Sequence, residues 1–399
     1  MINWTETRRH CLRLAVVAFS LSLLTAAAAQ ERLESKWFRY GSGIDAAWDF
    51  AADAADPMKI VIRRKGGEAR GTAKRVFVLY PRPSSAYDVA ITKILHVFET
   101  KEMNAEFTVV NFEMDEKKGA AALKFAERNK SDLIFAMGSE STAWLYDNYK
   151  GGAIPVVSVC SKDPVQLGQM KDYVSGSKTN FAFTSLNVPV DVQMAYVREL
   201  NPDLKNLAVL VDSKNISAVQ TQAEPIASYA RNRGIQVIFG AVQNPAKARE
   251  ELAQIVREAV QTMRKSDPDL SKSLFWVTGS TSVFLEIRTI NENSDRVPVI
   301  SVVPEIVRTG TDTAVIGIGI SFESNAHLAA IYGFDILNGK KAGDLRVGVV
   351  SPPDIAISFM KAREIGLRVP FSFFESASFV YDYDGKPVRT IASKMSSDN

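Results

Sequence analysis

Apolar runs rich in β-branched and aromatic residues recur about every 25 residues from Lys74 onward, each followed by a stretch of helical character. RVFVLY (75–80), FTVVNF (107–112), DLIFAM (132–137) and PVVSVC (155–160) read as strands, and 88–99, 118–129 and 142–149 as the helices between them. The rhythm then begins again. NLAVLV (206–211), IQVIFG (235–240), SLFWVT (273–278) and VPVISVV (297–303) are strands, with helices at 218–233, 246–265 and 282–291. Continuous apolar strands alternating with helices build parallel sheets covered on both faces. The expected fold class is therefore α/β: two similar doubly wound parallel-sheet lobes joined by a hinge, with a cleft between them.

The two halves align on one another. VLYPRPSSA (78–86) lies without gaps on LVDSKNISA (210–218), and DLIFAMGSES (132–141) on SLFWVTGSTS (273–282). A Gly-Ser-x-Ser turn thus follows the third strand of both halves, which supports a repeated lobe. The first lobe is expected to comprise residues 74–187 and 312–342, with AVIGIGIS returning to it. The second takes 188–311 and 343–381, leaving 382–399 as a tail. Residues 30–73 fit neither lobe, although KIVIRRK suits an edge strand and Trp37 and Trp48 suit docking.

The start of the chain differs in kind. Arg8, Arg9 and Arg13 precede an apolar stretch from Leu14 to Leu24, and Ala27-x-Ala29 gives a small-x-small cleavage pattern. Residues 1–29 read as a signal peptide, with export to the periplasm expected. TRRHCLR loosely resembles a twin-arginine signal, though Cys11 stands where a bulky apolar residue is usual. Removing the leader leaves 45 basic and 44 acidic residues, a balance that gives no support for nucleic-acid binding. Cys160 remains the lone cysteine, so an internal disulfide is excluded and no role is expected for its thiol.

Ligands of parallel α/β sheets bind beyond the carboxyl ends of the strands, so the candidate site is sought there. Backbone amides at a helix start lack internal partners and carry partial positive charge. Gly138 lets a ligand approach such amides, with Ser139, Glu140 and Ser141 beside it. Ser139 or Ser141 suits a helix cap. Thr278, Gly279 and Ser280 occupy the matching place in the second lobe. Arg82 is placed to pair a carboxylate, Tyr87 to stack on a flat solute or pack in the core, and Ser84 and Ser85 share their loop. Ser161 and Asp163 follow the fourth strand. Asn215 and Ser217 match the first-lobe serines, and Glu305 either receives a ligand ammonium or binds a neighbouring amide.

Catalytic signatures are missing from the sequence. Beyond the leader only His96 and His327 remain, and neither has metal-ligand spacing. No G-x-S-x-G elbow occurs, and GGEARGTAKR has Thr72 where a phosphate loop needs lysine. Glu113, Asp115 and Glu116 precede two lysines and read as a solvated turn. No enzyme activity, cofactor or metal is expected.

Three stretches carry a family likeness: IPVVSVCSKDP with its Asp-Pro turn; SFESNAHLAAIYGFDILNGKKAGDLRV with a Leu-x-Gly turn; and ISFMKAREIGLRVPFSFFESASFVY with Ala-x-x-x-Gly-Leu-x-x-Pro. Together they resemble the periplasmic substrate-binding proteins of ABC transporters with the type I periplasmic-binding fold, in a family that includes tryptophan-binding members. The likeness covers roughly residues 74–381. It implies capture of a small polar or aromatic solute, amino-acid-like solutes included, between closing lobes. The partners it implies are that small-molecule ligand and an ABC permease, or a membrane sensor receiving ligand occupancy, with the protein itself a monomer. The chain departs from the family where Thr278-Gly279-Ser280 replace a common acidic residue and where Ser139-Glu140 replace Thr-Pro.

Overall fold

Two sheets share the order of five parallel strands. The structure, a computed structural model, describes Leu33 and residues 35–66 and 72–389. The leader with Cys11, the centre of GGEARGTAKR and the last ten residues of the tail lie outside the described residues. Two units divide the chain, Met1–Lys36 and Trp37–Asn399, and both sheets belong to the second.

The first sheet contains β1 (Trp48–Ala52), β2 (Lys59–Arg64), β3 (Lys74–Tyr80), β4 (Ala105–Asn111), β5 (Leu133–Met137), β6 (Val156–Val159) and β7 (Phe181–Ala182), in the order β1-β2-β4-β3-β5-β6-β7. From β3 to β7 all pairings are parallel. Every residue of β5 and β6 is buried, as expected of strands with helices on both faces. One face packs Phe77, Leu79, Ile134 and Ala136 with Ala122, Trp144 and Leu145. KIVIRR does form a strand hydrogen-bonded to β4, antiparallel, and β1 adds a further edge. Trp48 is fully buried edge-on to Phe107, and Trp37 meets the ring of Tyr80. The segment from Trp37 to Arg64 thus belongs to the first lobe.

A short strand, β8 (Thr184–Ser185), begins the passage to the second sheet. There stand β9 (Asn206–Asp212), β10 (Gln236–Val242), β11 (Ser273–Val277), β12 (Val299–Ser301) and β13 (Ile316–Gly319). After β14 (Gly348–Val349), which pairs with β8, the sheet resumes with β15 (Asp354–Ser358), β16 (Phe379–Tyr381) and β17 (Pro387–Arg389). Its order is β10-β9-β11-β12-β13-β15-β16-β17.

One expected boundary is corrected. AVIGIGIS does not return to the first lobe: β13 lies parallel to β12 and antiparallel to β15. The alternating glycines explain it. A β-carbon on Gly319 would stand 1.9 Å from the Val302 carbonyl oxygen, and one on Gly317 2.8 Å from Pro304 Cα. Only a bare backbone fits beneath the turn that ends β12, so the chain crosses back at Ser321 instead. Its next helix, Phe322–Leu337, packs on the first lobe, with Gly333 against Phe135.

A second difference concerns the helix expected at 218–233. It is interrupted by a π turn, Val219–Ala223, between Ile216–Ala218 and Glu224–Arg231. Pro225 has no amide to give to Thr221, four residues back. The freed Thr221 carbonyl accepts from Asn187 Nδ2 at 2.7 Å, joining the second lobe to the passage between lobes.

Candidate functional site

Strand orders of this kind have a switch point where successive connections leave in opposite directions, here between β3 and β5 and between β9 and β11. The loops at both points line one small cavity of about 40 Å³. Arg82, Ser84, Tyr87, Gly138, Ser139 and Glu140 border it from the first lobe. Asn215, Ser217 and Gly279 border it from the second. These expected positions come together; Ser85, Ser141, Ser161, Asp163, Thr278, Ser280 and Glu305 are not among its walls.

The first-lobe wall is braced by side chains. Ser84 caps the helix Ser85–Thr100 by accepting from the Ala86 amide at 3.3 Å. Tyr80 donates its hydroxyl to the Tyr87 carbonyl at 3.1 Å, holding the start of the same helix onto β3. Tyr87 is buried, and desolvation pushes its hydroxyl well above the usual phenol range. Its oxygen would lie 2.0 Å from a β-carbon on Gly138, whose φ is +77°. Glycine is therefore required twice over, by conformation and by the close approach of Tyr87. Arg82 and Glu140 close the wall with a 2.6 Å ion pair.

The two serines of the first turn do not cap its helix. Ser139 accepts from the Lys162 amide at 2.9 Å, and Ser141 donates to the Leu79 carbonyl at 3.1 Å. Both stitch neighbouring strand ends together, leaving the helix Gly138–Tyr149 without a side-chain cap. Ser161 leans on Ser139 at 3.5 Å. Asp163 accepts from the Val165 and Gln166 amides and, at 2.6 Å, from the Tyr173 hydroxyl, so it shapes its own turn.

In the second lobe Asn215 accepts from the Ala218 amide at 3.2 Å and from the Ser217 hydroxyl at 3.0 Å. Thr278 donates to the Leu210 carbonyl, and Ser280 accepts from the Asp212 amide, tying β11 to β9. Ser280 does not cap the single turn Thr281–Phe284. The Gly279 amide is also taken, by Gln222 Oε1 at 2.8 Å. The two turns face one hollow and neither helix start has a side-chain cap, but the second opens only a single turn.

Glu305 lies in the Pro304–Ile306 turn and accepts from the Phe322 amide, the second of the two roles expected for it. Burial pushes its carboxyl up to about 8, against that hydrogen bond, and its other oxygen has no partner among the described residues. It braces the second crossing.

Several wall residues escape the sequence reading: Lys162, Cys160, Leu186, Thr281, Phe284 and Phe322. Cys160 is buried with φ +52°, and desolvation raises its thiol far above the usual range. The Phe284 and Phe322 rings meet at 6.4 Å from opposite sides of the hollow. Lys162 is 7% exposed, and burial pulls its ammonium down to about 8 against the pull of Glu140. The signal that could have found it is a lysine inside the SKDP turn, since a cation three residues past the end of a buried strand needs a reason.

Two like-ordered lobes with a hollow between their switch points define a two-lobed solute-binding protein of the type I periplasmic-binding fold. Residues 87–380 match the family described as ABC transporter substrate binding protein, and the chain belongs to that family. It is 23% identical over 237 residues to the tyrosine-binding protein of Clostridioides difficile strain R20291, covering 59% of this chain and 63% of that relative. Among solved structures it is similar to an ABC domain in complex with L-Trp from Streptococcus pneumonia, with TM-score 0.62 and 19% identity, over 77% of this chain and 100% of the other. A ligand-free, open substrate binding protein with adhesive properties from Clostridium difficile has TM-score 0.58 and 20% identity, over 80% of this chain and 100% of the other.

Proposed function

We propose that this protein captures a small polar or aromatic solute between its lobes, outside the cytoplasm, and delivers it to an ABC permease. The observation that carries this reading is the shared hollow: both switch points, which ligands of such sheets favour, border one cavity. Binding here asks for no covalent or acid–base chemistry, so the proposed role is capture and not catalysis. The named ligands of the relatives, tyrosine and L-Trp, support an aromatic solute. Tyr87, Phe284 and Phe322 provide matching walls.

A cavity of about 40 Å³ has room for a few waters and none for an aromatic ring. Uptake therefore requires the lobes to part, with closure stabilised by contacts to both. The test is mass spectrometry of small molecules released from the purified protein, followed by a thermal-shift titration with each. A released solute that raises Tm with concentration supports capture, by about 2.7 kcal/mol at a hundredfold excess over Kd. No released solute, and no shift across a panel of amino acids and organic acids, overturns it.

A further inference from the structure

We infer that the cleft selects a small carboxylate with an aromatic body and no ammonium of its own, and that Lys162 is the residue that makes the choice. The inference rests on the capture reading and names the substrate class of that same site.

Three ionisable side chains of ordinary charge border the hollow: Arg82, Glu140 and Lys162. The first two satisfy each other at 2.6 Å. Lys162 is left over, almost wholly removed from solvent yet facing the cavity, and its ammonium has no ion pair among the described residues. The carboxylate that pulls on it, Glu140, belongs to its own lobe and is already paired with Arg82. The Lys162 Nζ would lie 2.5 Å from a β-carbon on Gly279, and the neighbouring group there is the neutral amide of Gln222. A buried cation whose one nearby carboxylate is shared with an arginine is costly unless something supplies further negative charge.

The remaining groups point the same way. Asp212, the nearby carboxylate of the second lobe, already accepts from the Ser282 hydroxyl at 2.7 Å and the Lys214 amide at 2.9 Å. Both Asp212 oxygens are thus already engaged within their own lobe, and Glu140 is held by Arg82. The uncapped start of the helix Gly138–Tyr149 adds partial positive charge on the first-lobe side. An amino acid would bring its ammonium into a corner already holding one, whereas a plain carboxylate completes the pair. With its titration near 8, Lys162 is mostly charged at neutral pH.

Calorimetric titration with matched probes tests this. L-Tyrosine is compared with 3-(4-hydroxyphenyl)propionate, and L-tryptophan with indole-3-propionate, on wild type, Lys162→Met and Lys162→Arg. In wild type each acid is expected to bind at least tenfold tighter than its amino acid. Lys162→Met should lose that preference, and Lys162→Arg should keep it. Amino acids binding as tightly as the acids, or a preference unchanged in Lys162→Met, overturns the inference and leaves capture standing. Failure of every probe and every released solute to bind removes the capture reading and this inference with it. The melting temperature of each variant reports folding, and if Lys162→Met does not fold, the wild-type ratios decide alone.

Discussion

The ammonium of Lys162 lies where a side chain on Gly279 would be: a β-carbon there would stand 2.5 Å from Nζ. One lobe thus omits an atom so that the other can place a charge. In Gly279→Ala the obstructed group is the tip of a flexible chain, so Lys162 yields and the fold survives. Stability should change by less than about 1 kcal/mol. Affinity for a carboxylate probe should fall about tenfold, roughly 1.4 kcal/mol. Paired denaturant titrations and calorimetry check both; unchanged affinity would remove Lys162 from the site.

Lys162→Met should make the ligand-free protein more stable at neutral pH. Burial lowers the folded titration to about 8 from 10.5, so between those values the unfolded chain holds a proton the folded one has lost. Wild-type stability therefore rises with pH across that window, and the variant's advantage is greatest below about 8 and gone near 10.5. The groups facing Lys162 are Glu140 and Cys160, with Arg82 paired to Glu140. The gain is on the order of 1–3 kcal/mol. Urea midpoints at pH 6.5, 8 and 10 measure it, and a variant less stable at pH 6.5 would contradict it.

Glu305 shows the opposite sign. Its folded titration is raised to about 8 from 4.5, so within that range the folded chain keeps a proton the unfolded one has released. This contribution to stability falls as pH rises from about 4.5 to 8 and is level above. Glu305→Gln preserves the shape and removes the slope. At pH 8 the variant should exceed wild type by on the order of a few kcal/mol. Parallel pH profiles for the two proteins would refute the assignment.

Gly138→Ala should cost about 1–3 kcal/mol, since it combines a left-handed backbone with a collision against Tyr87. Adding Tyr87→Phe should recover only part, because Cζ would still lie 2.8 Å from the new carbon. Thermal melts of the single and double variants measure this. Full recovery would show that φ +77° carries no cost here.

The fold was legible because strand and helix patterns are local: apolar runs such as DLIFAM and SLFWVT, too short for a helix and bounded by turn residues, suit buried strands. The repeat pointed to both switch points as well, and Arg82, Tyr87, Gly138, Asn215 and Gly279 all border one hollow. Roles within those loops were harder. Ser139, Ser141 and Ser280 carry the composition of helix caps, yet their hydroxyls bond across strand ends, a choice set by tertiary neighbours. Lys162 was missed because SKDP, though it sets a cation close to a buried strand, does not say which side chain faces inward. The return of the chain at Ser321 was missed because it depends on the fit of Gly317 and Gly319 beneath another strand's turn.

All three passages between the sheets are fastened on the first-lobe side. Asn325, fully buried in the helix Phe322–Leu337, accepts from the Cys160 amide and the Thr184 hydroxyl and donates to the Ser185 carbonyl. The pairing of β14 with β8 secures the third passage beside the first. Any swing of the second sheet must then be taken up in residues 186–189, 320–321 and 350–353, short spans lying just past those anchors. Three tethers of such length leave the moving half one shared pivot, so the mouth can gape or shut but has little freedom to slide sideways.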